Sequence, residues 1–188
     1  TTGDGMVAIG YQALMTEDTQ GYSTAVGSGA LALQNAGASA FNVAVGHEAG
    51  TAVSTGVQNT LVGTYAGHDL NTGSFNVAMG LNALSLGTSL GSTVAIGYNA
   101  GKTLATANNN TIIGSQAGEI RTGAGNTIVG QYAGRDGTDG VDNTLIGRNS
   151  GYTITSGSKN SILGMFSGNQ DGVDIRTADN HIVLSDGD

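Results

Sequence analysis

The sequence predicts an all-β fold, a parallel β-solenoid of about ten coils with 17 residues each. A glycine that follows two apolar residues returns nearly every 17 residues, and the segment ending at each glycine is rich in β-branched residues. The rest of each unit is rich in Gly, Ser, Thr and Asn. A short period that persists along the chain is typical of a solenoid in which each repeat forms one coil. The repeating glycines are Gly10, Gly27, Gly46, Gly63, Gly80, Gly97, Gly114, Gly130, Gly147 and Gly164.

The five residues that end at each glycine are predicted to be strands, because they are short, β-branched and flanked by turn formers. Their second and fourth residues share one face of the strand, and the third residue points the opposite way. The second and fourth columns are mostly β-branched, and the third column is wholly apolar. The third column consists of Ala8, Ala25, Ala44, Leu61, Ala78, Ala95, Ile112, Ile128, Leu145 and Ile162.

Both faces of each strand are therefore predicted to be buried, although one coil can cover only one of them. The second face needs a partner, which is either another copy of the chain or a second sheet of the same chain. We expect an oligomer, because parallel copies in register repeat the same contact at every coil. Which of the two faces lies inside the coil stays open.

Two further columns predict how the coils turn and stack. A small residue, Ala or Ser, stands three positions after each glycine and marks a tight corner. Asparagine opens most strands, and stacked coils would align these amides into a ladder of hydrogen bonds. The asparagines of this column are Asn42, Asn59, Asn76, Asn110, Asn126, Asn143, Asn160 and Asn180.

We expect the solenoid domain to span residues 1–168 and residues 169–188 to form a cap or crossover that contacts a neighbouring chain. The frame is kept at Asn180-His181-Ile182-Val183, but Leu184 stands where the glycine is expected. Loss of that glycine should stop the next coil and protect the open sheet edge.

Composition and charge exclude several classes of protein. The 188 residues include 33 Gly, no Pro, no Trp and only 11% charged residues, which an ordinary globular domain does not have. Without cysteine, disulfides and thiolate metal sites are excluded. The net charge of -8 argues against a nucleic-acid partner, and no apolar run is long enough to predict membrane insertion. The start at Thr1 favours a fragment of a longer polypeptide.

Units such as Asn42-Val43-Ala44-Val45-Gly46, followed by small residues, resemble the left-handed parallel β-rolls of trimeric autotransporter adhesin heads. They resemble the repeat regions of bacteriophage tail fibres more closely, and this resemblance covers residues 6–168. Residues 178–188 are similar to the stretch that precedes a self-cleaving intramolecular chaperone in such fibres. The resemblance implies a homotrimer that contacts adjacent fibre or tail proteins. The 17-residue period is longer than that of adhesin heads, which counts against an adhesin.

The sequence predicts no enzyme, no cofactor and no metal site. Lys102 and Thr103 follow a glycine as in a phosphate-binding loop, but Ile96 stands where that loop needs its first glycine. Ser156 and Lys159 have the spacing of a serine-lysine pair, which requires a helical turn.

The three histidines, His47, His68 and His181, occupy different places in the repeat. We therefore expect exposed loop residues rather than a metal-binding cluster. The Asp-rich loops at residues 136–142 and 171–174 match no calcium-loop pattern and are interpreted as solvated turns.

Aromatic residues one or two positions after the glycine are the candidates for receptor contact, because aromatic rings can stack on sugars of a host-surface glycan. Packing between neighbouring coils explains the same pattern. The candidates are Tyr11, Tyr65, Tyr98, Tyr132 and Phe166.

Three functions remain open. The first is a rigid trimeric spacer in an extracellular phage tail fibre, and the second is an adhesin head on a bacterial surface. The third is ice binding, which requires a flat, exposed array of Thr-x-Thr triplets. Here threonine alternates with valine in a column that we expect to be buried, and Thr153-Ile154-Thr155 is the only such triplet.

Overall fold

The computed structural model describes residues 5–17 and 21–186, which form a parallel β-solenoid. None of the described segments forms a helix that could span a bilayer. The strands are β1 (Val7–Ile9), β2 (Thr24–Val26), β3 (Val43–Val45), β4 (Thr60–Val62), β5 (Val77–Met79), β6 (Val94–Ile96), β7 (Thr111–Ile113), β8 (Thr127–Val129), β9 (Thr144–Ile146), β10 (Ser161–Leu163), β11 (Asn169–Gln170), β12 (Val173–Asp174) and β13 (Ile182–Leu184).

Strands β1 to β10 stack in chain order into one parallel sheet, which β13 completes as the eleventh strand. The register never slips: Val43 pairs with Thr60 and Val45 pairs with Val62, and the same columns meet along the whole sheet. At the usual spacing of about 4.8 Å between strands, the sheet is roughly 50 Å long. The predicted solenoid of about ten coils is confirmed.

The middle residue of each strand faces the interior of the coil. Ala44, Leu61 and Ile128 are 0% exposed, whereas the residues on either side of them lie on the outside of the sheet. The alternation predicted from the sequence is confirmed, and the third column is the one inside.

The repeating glycine is required by close contact between coils. Gly63 has a φ of 131°, and a Cβ atom at this position would lie 2.7 Å from the carbonyl oxygen of Gly80. An L-residue rarely adopts that backbone conformation, so both the conformation and the contact demand glycine. The small residue three positions later closes a turn, in which the Ala66 N–H donates to the Gly63 carbonyl at 3.2 Å.

In the coils that follow Gly10 to Gly114 and Gly147, one large side chain fills the interior, supplied by the fourth or the seventh residue after the repeating glycine. Where the fourth residue of these coils is leucine, the seventh is Glu, Gln or Gly, and where the fourth is glycine, the seventh supplies the side chain. The leucines have φ near 50°, a strained value for leucine, yet they are fully buried. The filling residues are Leu14, Leu31, Val53, Leu70, Leu84, Leu104, Arg121 and Ile154.

The predicted asparagine ladder runs inside the coil. Asn59 Nδ2 donates to Asn42 Oδ1 at 3.1 Å and to the Gly73 carbonyl at 2.9 Å, and Asn76 repeats the pattern. Thr93 replaces asparagine and interrupts the ladder, which resumes at Asn110 and continues to Asn160.

The C-terminal segment departs from the expected frame by one residue. Leu163 pairs with Leu184, so Ser185, and not Leu184, stands at the glycine position. His181 accordingly takes the asparagine position, and its N–H donates to Asn160 Oδ1 at 2.9 Å. Asn180 is therefore not a member of the ladder.

The solenoid was expected to stop near Gly168, but the chain returns to the sheet as β13. Between β10 and β13 it forms the antiparallel pair β11 and β12, joined by Asp171 and Gly172. Both residues have positive φ, as a two-residue hairpin turn requires. Contact of residues 169–188 with a neighbouring chain stays a prediction.

Candidate functional site

The outer sheet face consists of the first and third residues of strands β1 to β10 and β13. These two columns contain Val, Ile, Met, Leu, Thr and Ser, and no charged residue. The face ends in an apolar cavity of about 220 Å³ bordered by β9, β10 and β13. The exposed apolar members of the outer sheet face are Val7, Ile9, Val43, Val45, Met79, Ile113, Ile146, Leu163, Ile182 and Leu184.

An aromatic stack borders the outer sheet face at the start of the strands. The rings of Tyr22 and Phe41 lie 5.4 Å apart and nearly parallel, and a Cβ atom on Gly5 would touch the Tyr22 ring. The rings therefore stack on one another along the solenoid axis. Because stacking between coils occupies their faces, this pair is a poor platform for a sugar ring.

The corner surface consists of the second and fifth residues after each repeating glycine. The second residue has a positive φ, 53° at Glu48 and 54° at Asn99, and in both cases its side chain reaches the fifth residue of the next coil. Glu48 Oε2 thus lies 3.2 Å from His68 Nε2, and Asn99 Nδ2 donates to Glu119 Oε1 at 2.9 Å. Different positions of the repeat therefore meet on this surface.

Two of the three histidines, His47 and His68, share Glu48 and Tyr65 as neighbours at the edge of the corner surface. His68 Nδ1 lies 2.6 Å from Asp69 Oδ1, and His47 Nε2 lies 3.6 Å from Glu48 Oε1. The Tyr65 ring contacts both imidazoles edge-on at 5.5 Å. Stacking of identical positions does not bring these histidines together, and their common neighbours arise because different positions of the repeat meet here. In the described part of the chain, no three His, Asp or Glu side chains are grouped so that they could hold a metal ion.

A second polar cluster lies further along the corner surface, around Arg135. Its Nε donates to Glu119 Oε2 at 3.2 Å and its Nη1 donates to the Tyr152 hydroxyl at 2.5 Å. The guanidinium also lies 5.7 Å from the ring centres of Tyr132 and Tyr152. The hydrogen bond to Glu119, followed by that to Tyr152, raises the pKa of Arg135. This group is a fixed positive charge between two aromatic rings.

The predicted receptor-contact residues separate into three environments. Tyr11 and Tyr98 are 74% and 47% exposed, one position after the glycine. Tyr65 and Tyr132 are half-buried in the two clusters of the corner surface. Phe166 is 4% exposed and packs in the core, because the solenoid changes course after β10, so it is not available for contact.

Comparisons of the chain with protein-family models, with curated proteins and with solved structures found no match.

Proposed function

We propose that this chain is a rigid segment of a homotrimeric bacteriophage tail fibre, located outside the cell on the virion. The observation that carries the proposal is the outer sheet face, an uncharged and apolar surface that is continuous over the eleven strands of the sheet. Exposed apolar surface of this extent is typical of a protein interface.

Other copies of the chain are the partner that fits this face. The face repeats at each coil with constant register, so parallel copies at the same level repeat one contact along the whole sheet. The number three comes from the resemblance to tail fibres and adhesin heads, whereas the face itself supports association. Stacked coils joined by backbone hydrogen bonds make a stiff rod, as a spacer requires.

If the fibre binds a host receptor, the corner surface is the part of the chain that contacts it. Its side chains differ from coil to coil, whereas those of the outer sheet face are uniform. Two exposed tyrosines and the clusters around Tyr65 and Tyr132 are the groups that suit a glycan. An adhesin head on a bacterial surface would use the same surfaces. The parent gene separates the two, because a fibre continues into a chaperone domain and an adhesin ends in a membrane β-barrel.

Ice binding is a second candidate, and one observation favours it. Burial of the column of Val and Thr counted against ice binding, but this column lies on the outer sheet face. Side chains on a flat parallel sheet are spaced at about 4.8 Å between strands and about 6.7 Å along them. Such an array can order water, although valine and isoleucine outnumber threonine. A thermal-hysteresis measurement on the chain tests this candidate directly.

The mass of the chain in solution tests the fibre proposal. Light scattering or native mass spectrometry should give three times the monomer mass of 18.6 kDa. A stable, folded monomer at micromolar concentration would contradict the proposal.

A further inference from the structure

The interior of the solenoid contains the guanidinium of Arg121, for which the described residues provide no ion pair. Arg121 is 0% exposed and is the seventh residue after Gly114, a position that Leu104 and Ile154 occupy in other coils. Burying an unpaired cation costs several kcal/mol, so an arginine at a leucine position requires an explanation.

The next coil explains why the long side chain fits. There the fourth and the seventh residue are both glycine, Gly134 and Gly137, so this coil supplies no large side chain of its own. The Arg121 guanidinium fills the space: a Cβ atom at Gly137 would lie 2.6 Å from the Arg121 Cζ atom. Apolar side chains lie on the Gly134 side of Arg121, where a Cβ atom at Gly134 would meet Leu145 at 3.0 Å, Ile128 at 3.2 Å and Arg121 Nε at 3.4 Å.

The hydrogen bonds of the guanidinium are incomplete. Nη1 donates to the Gly140 carbonyl at 2.9 Å, whereas Nε and Nη2 have no partner among the described residues. These two nitrogens form the edge of the guanidinium that can bind one acceptor with two parallel N–H bonds. The Asp139 carboxylate attracts Arg121 only from a distance, because it is exposed and accepts a hydrogen bond from Thr138 at 2.9 Å.

We propose that the Nε and Nη2 edge of Arg121 binds a single halide ion, chloride under ordinary conditions, inside the solenoid. A halide neutralises the buried charge and accepts both free N–H bonds, whereas water would leave the charge uncompensated. An oxyanion is larger than a halide, and its remaining oxygens would need donors of their own in the closed interior. Burial lowers the pKa of Arg121 to about 10, the effect expected of a cation without a close partner. The site is independent of the outer sheet face and of the proposed fibre role.

Unfolding and refolding the chain in sodium chloride, bromide or gluconate of equal ionic strength tests this site. Refolding allows the anion to enter a closed interior. The wild-type melting temperature should be about 3 °C or more higher in chloride and bromide than in gluconate, because a ligand of the folded state stabilises it. Arg148→Leu, which removes an exposed arginine, should keep the difference, whereas Arg121→Leu should abolish it.

A crystal grown in bromide gives a second measurement, which holds even if Arg121→Leu does not fold. We expect an anomalous peak within about 3.5 Å of both Nε and Nη2 of Arg121. Water density without an anomalous signal at that place would overturn the proposal. Equal melting temperatures in all three salts, or a halide effect that persists in Arg121→Leu, would overturn it as well.

Discussion

The side-chain amide of Asn143 donates a hydrogen bond to the Oδ1 atom of Asn126, 3.1 Å away in the neighbouring coil. The same nitrogen donates to the Gly157 carbonyl at 2.9 Å, and Asn143 Oδ1 accepts the N–H of Asn160 at 3.0 Å. One side chain therefore connects three successive coils from the inside. A slip in register would leave all of these buried groups without partners, so the ladder helps to fix the register of the sheet.

Replacing Asn143 with leucine should lower the free energy of unfolding by about 2 kcal/mol or more. The leucine leaves the buried Gly157 carbonyl and the buried Asn160 N–H unpaired, and each costs about 1–3 kcal/mol. Denaturant unfolding monitored by circular dichroism measures the loss. Asn35→Leu is the matched control, because Asn35 is exposed, and it should change stability by less than about 0.5 kcal/mol. Equal stability of the two variants would mean that the ladder contributes nothing.

Gly97→Ala should destabilise the solenoid by more than about 2 kcal/mol. Gly97 has a φ of 135°, and the added methyl would lie 2.5 Å from the Gly114 carbonyl oxygen. The control is Gly91→Ala, where the nearest atom to the new methyl is Asn108 Oδ1 at 3.6 Å, an ordinary contact. A thermal melt of both variants checks the prediction. Unchanged melting of Gly97→Ala would show that neighbouring coils have room to separate.

The periodicity of the sequence was sufficient to predict the solenoid, its strands and its asparagine ladder, because each depends on residues that recur at the same position. The predicted frame at the C-terminus is one residue off. Asn180 matches the asparagine column by residue type, but the next residue, His181, occupies that position in the structure. Pairing of Leu163 with Leu184 settles the frame, and such pairing is a property of the fold rather than of a local pattern.

The contacts of the corner surface could not be predicted by comparing identical positions of the repeats. Glu48 contacts His68, a different position of the repeat in the next coil, whereas Asn82 at the same position as Glu48 contacts Asn99 at its own position. Burial of Phe166 likewise depends on where the chain turns after β10. The sequence does show that a large side chain stands at either the fourth or the seventh position after the glycine. This pattern could have identified Arg121 as an arginine at a position where other coils have a buried apolar residue.

Three isoleucine substitutions test the proposed trimer. Ile113→Asp places a charge on the outer sheet face and should dissociate the trimer while the β-sheet spectrum persists. Ile128→Asp places the charge inside the coil, where Ile128 is 0% exposed, and should unfold the chain at a cost of several kcal/mol. Ile120→Asp, at an exposed loop position, should leave the mass and the melting temperature unchanged. A trimer of wild-type stability in Ile113→Asp would exclude the outer sheet face as the interface.

Simultaneous replacement of Tyr65, Tyr98 and Tyr132 with alanine should abolish glycan binding if the chain contacts a host receptor. The three side chains lie at or next to the corner surface, and none contributes to the interior of the coil. A glycan array on the wild type and the triple variant measures the effect, and circular dichroism confirms that both are folded. Strong binding that survives the triple replacement and is lost instead in an outer-face variant would place the receptor contact on the sheet.

In gluconate, replacing Arg121 with leucine and Gly137 with isoleucine together should stabilise the chain by about 1–4 kcal/mol, because apolar residues replace a buried charge that has no halide partner there. The pair restores one large apolar side chain to each coil, as at Leu104 and Ile154. The isoleucine is accommodated because the atoms closest to a Cβ at Gly137 all belong to Arg121. Gly137→Ile alone should therefore be strongly destabilising, and a double-mutant cycle by denaturant unfolding measures the coupling.

The stabilisation of this double variant over the wild type should depend on pH in a fixed direction. Burial lowers the pKa of Arg121 in the folded chain to about 10, below its ordinary value, so the unfolded chain binds the proton more strongly. The wild type consequently carries the full cost of the buried charge below pH 10 and loses it progressively as the pH rises above 10. Unfolding measured in gluconate at pH 9 and pH 11 should give a smaller difference between double variant and wild type at pH 11. A difference that grows with pH would mean that the guanidinium is stabilised, rather than destabilised, by its place in the coil.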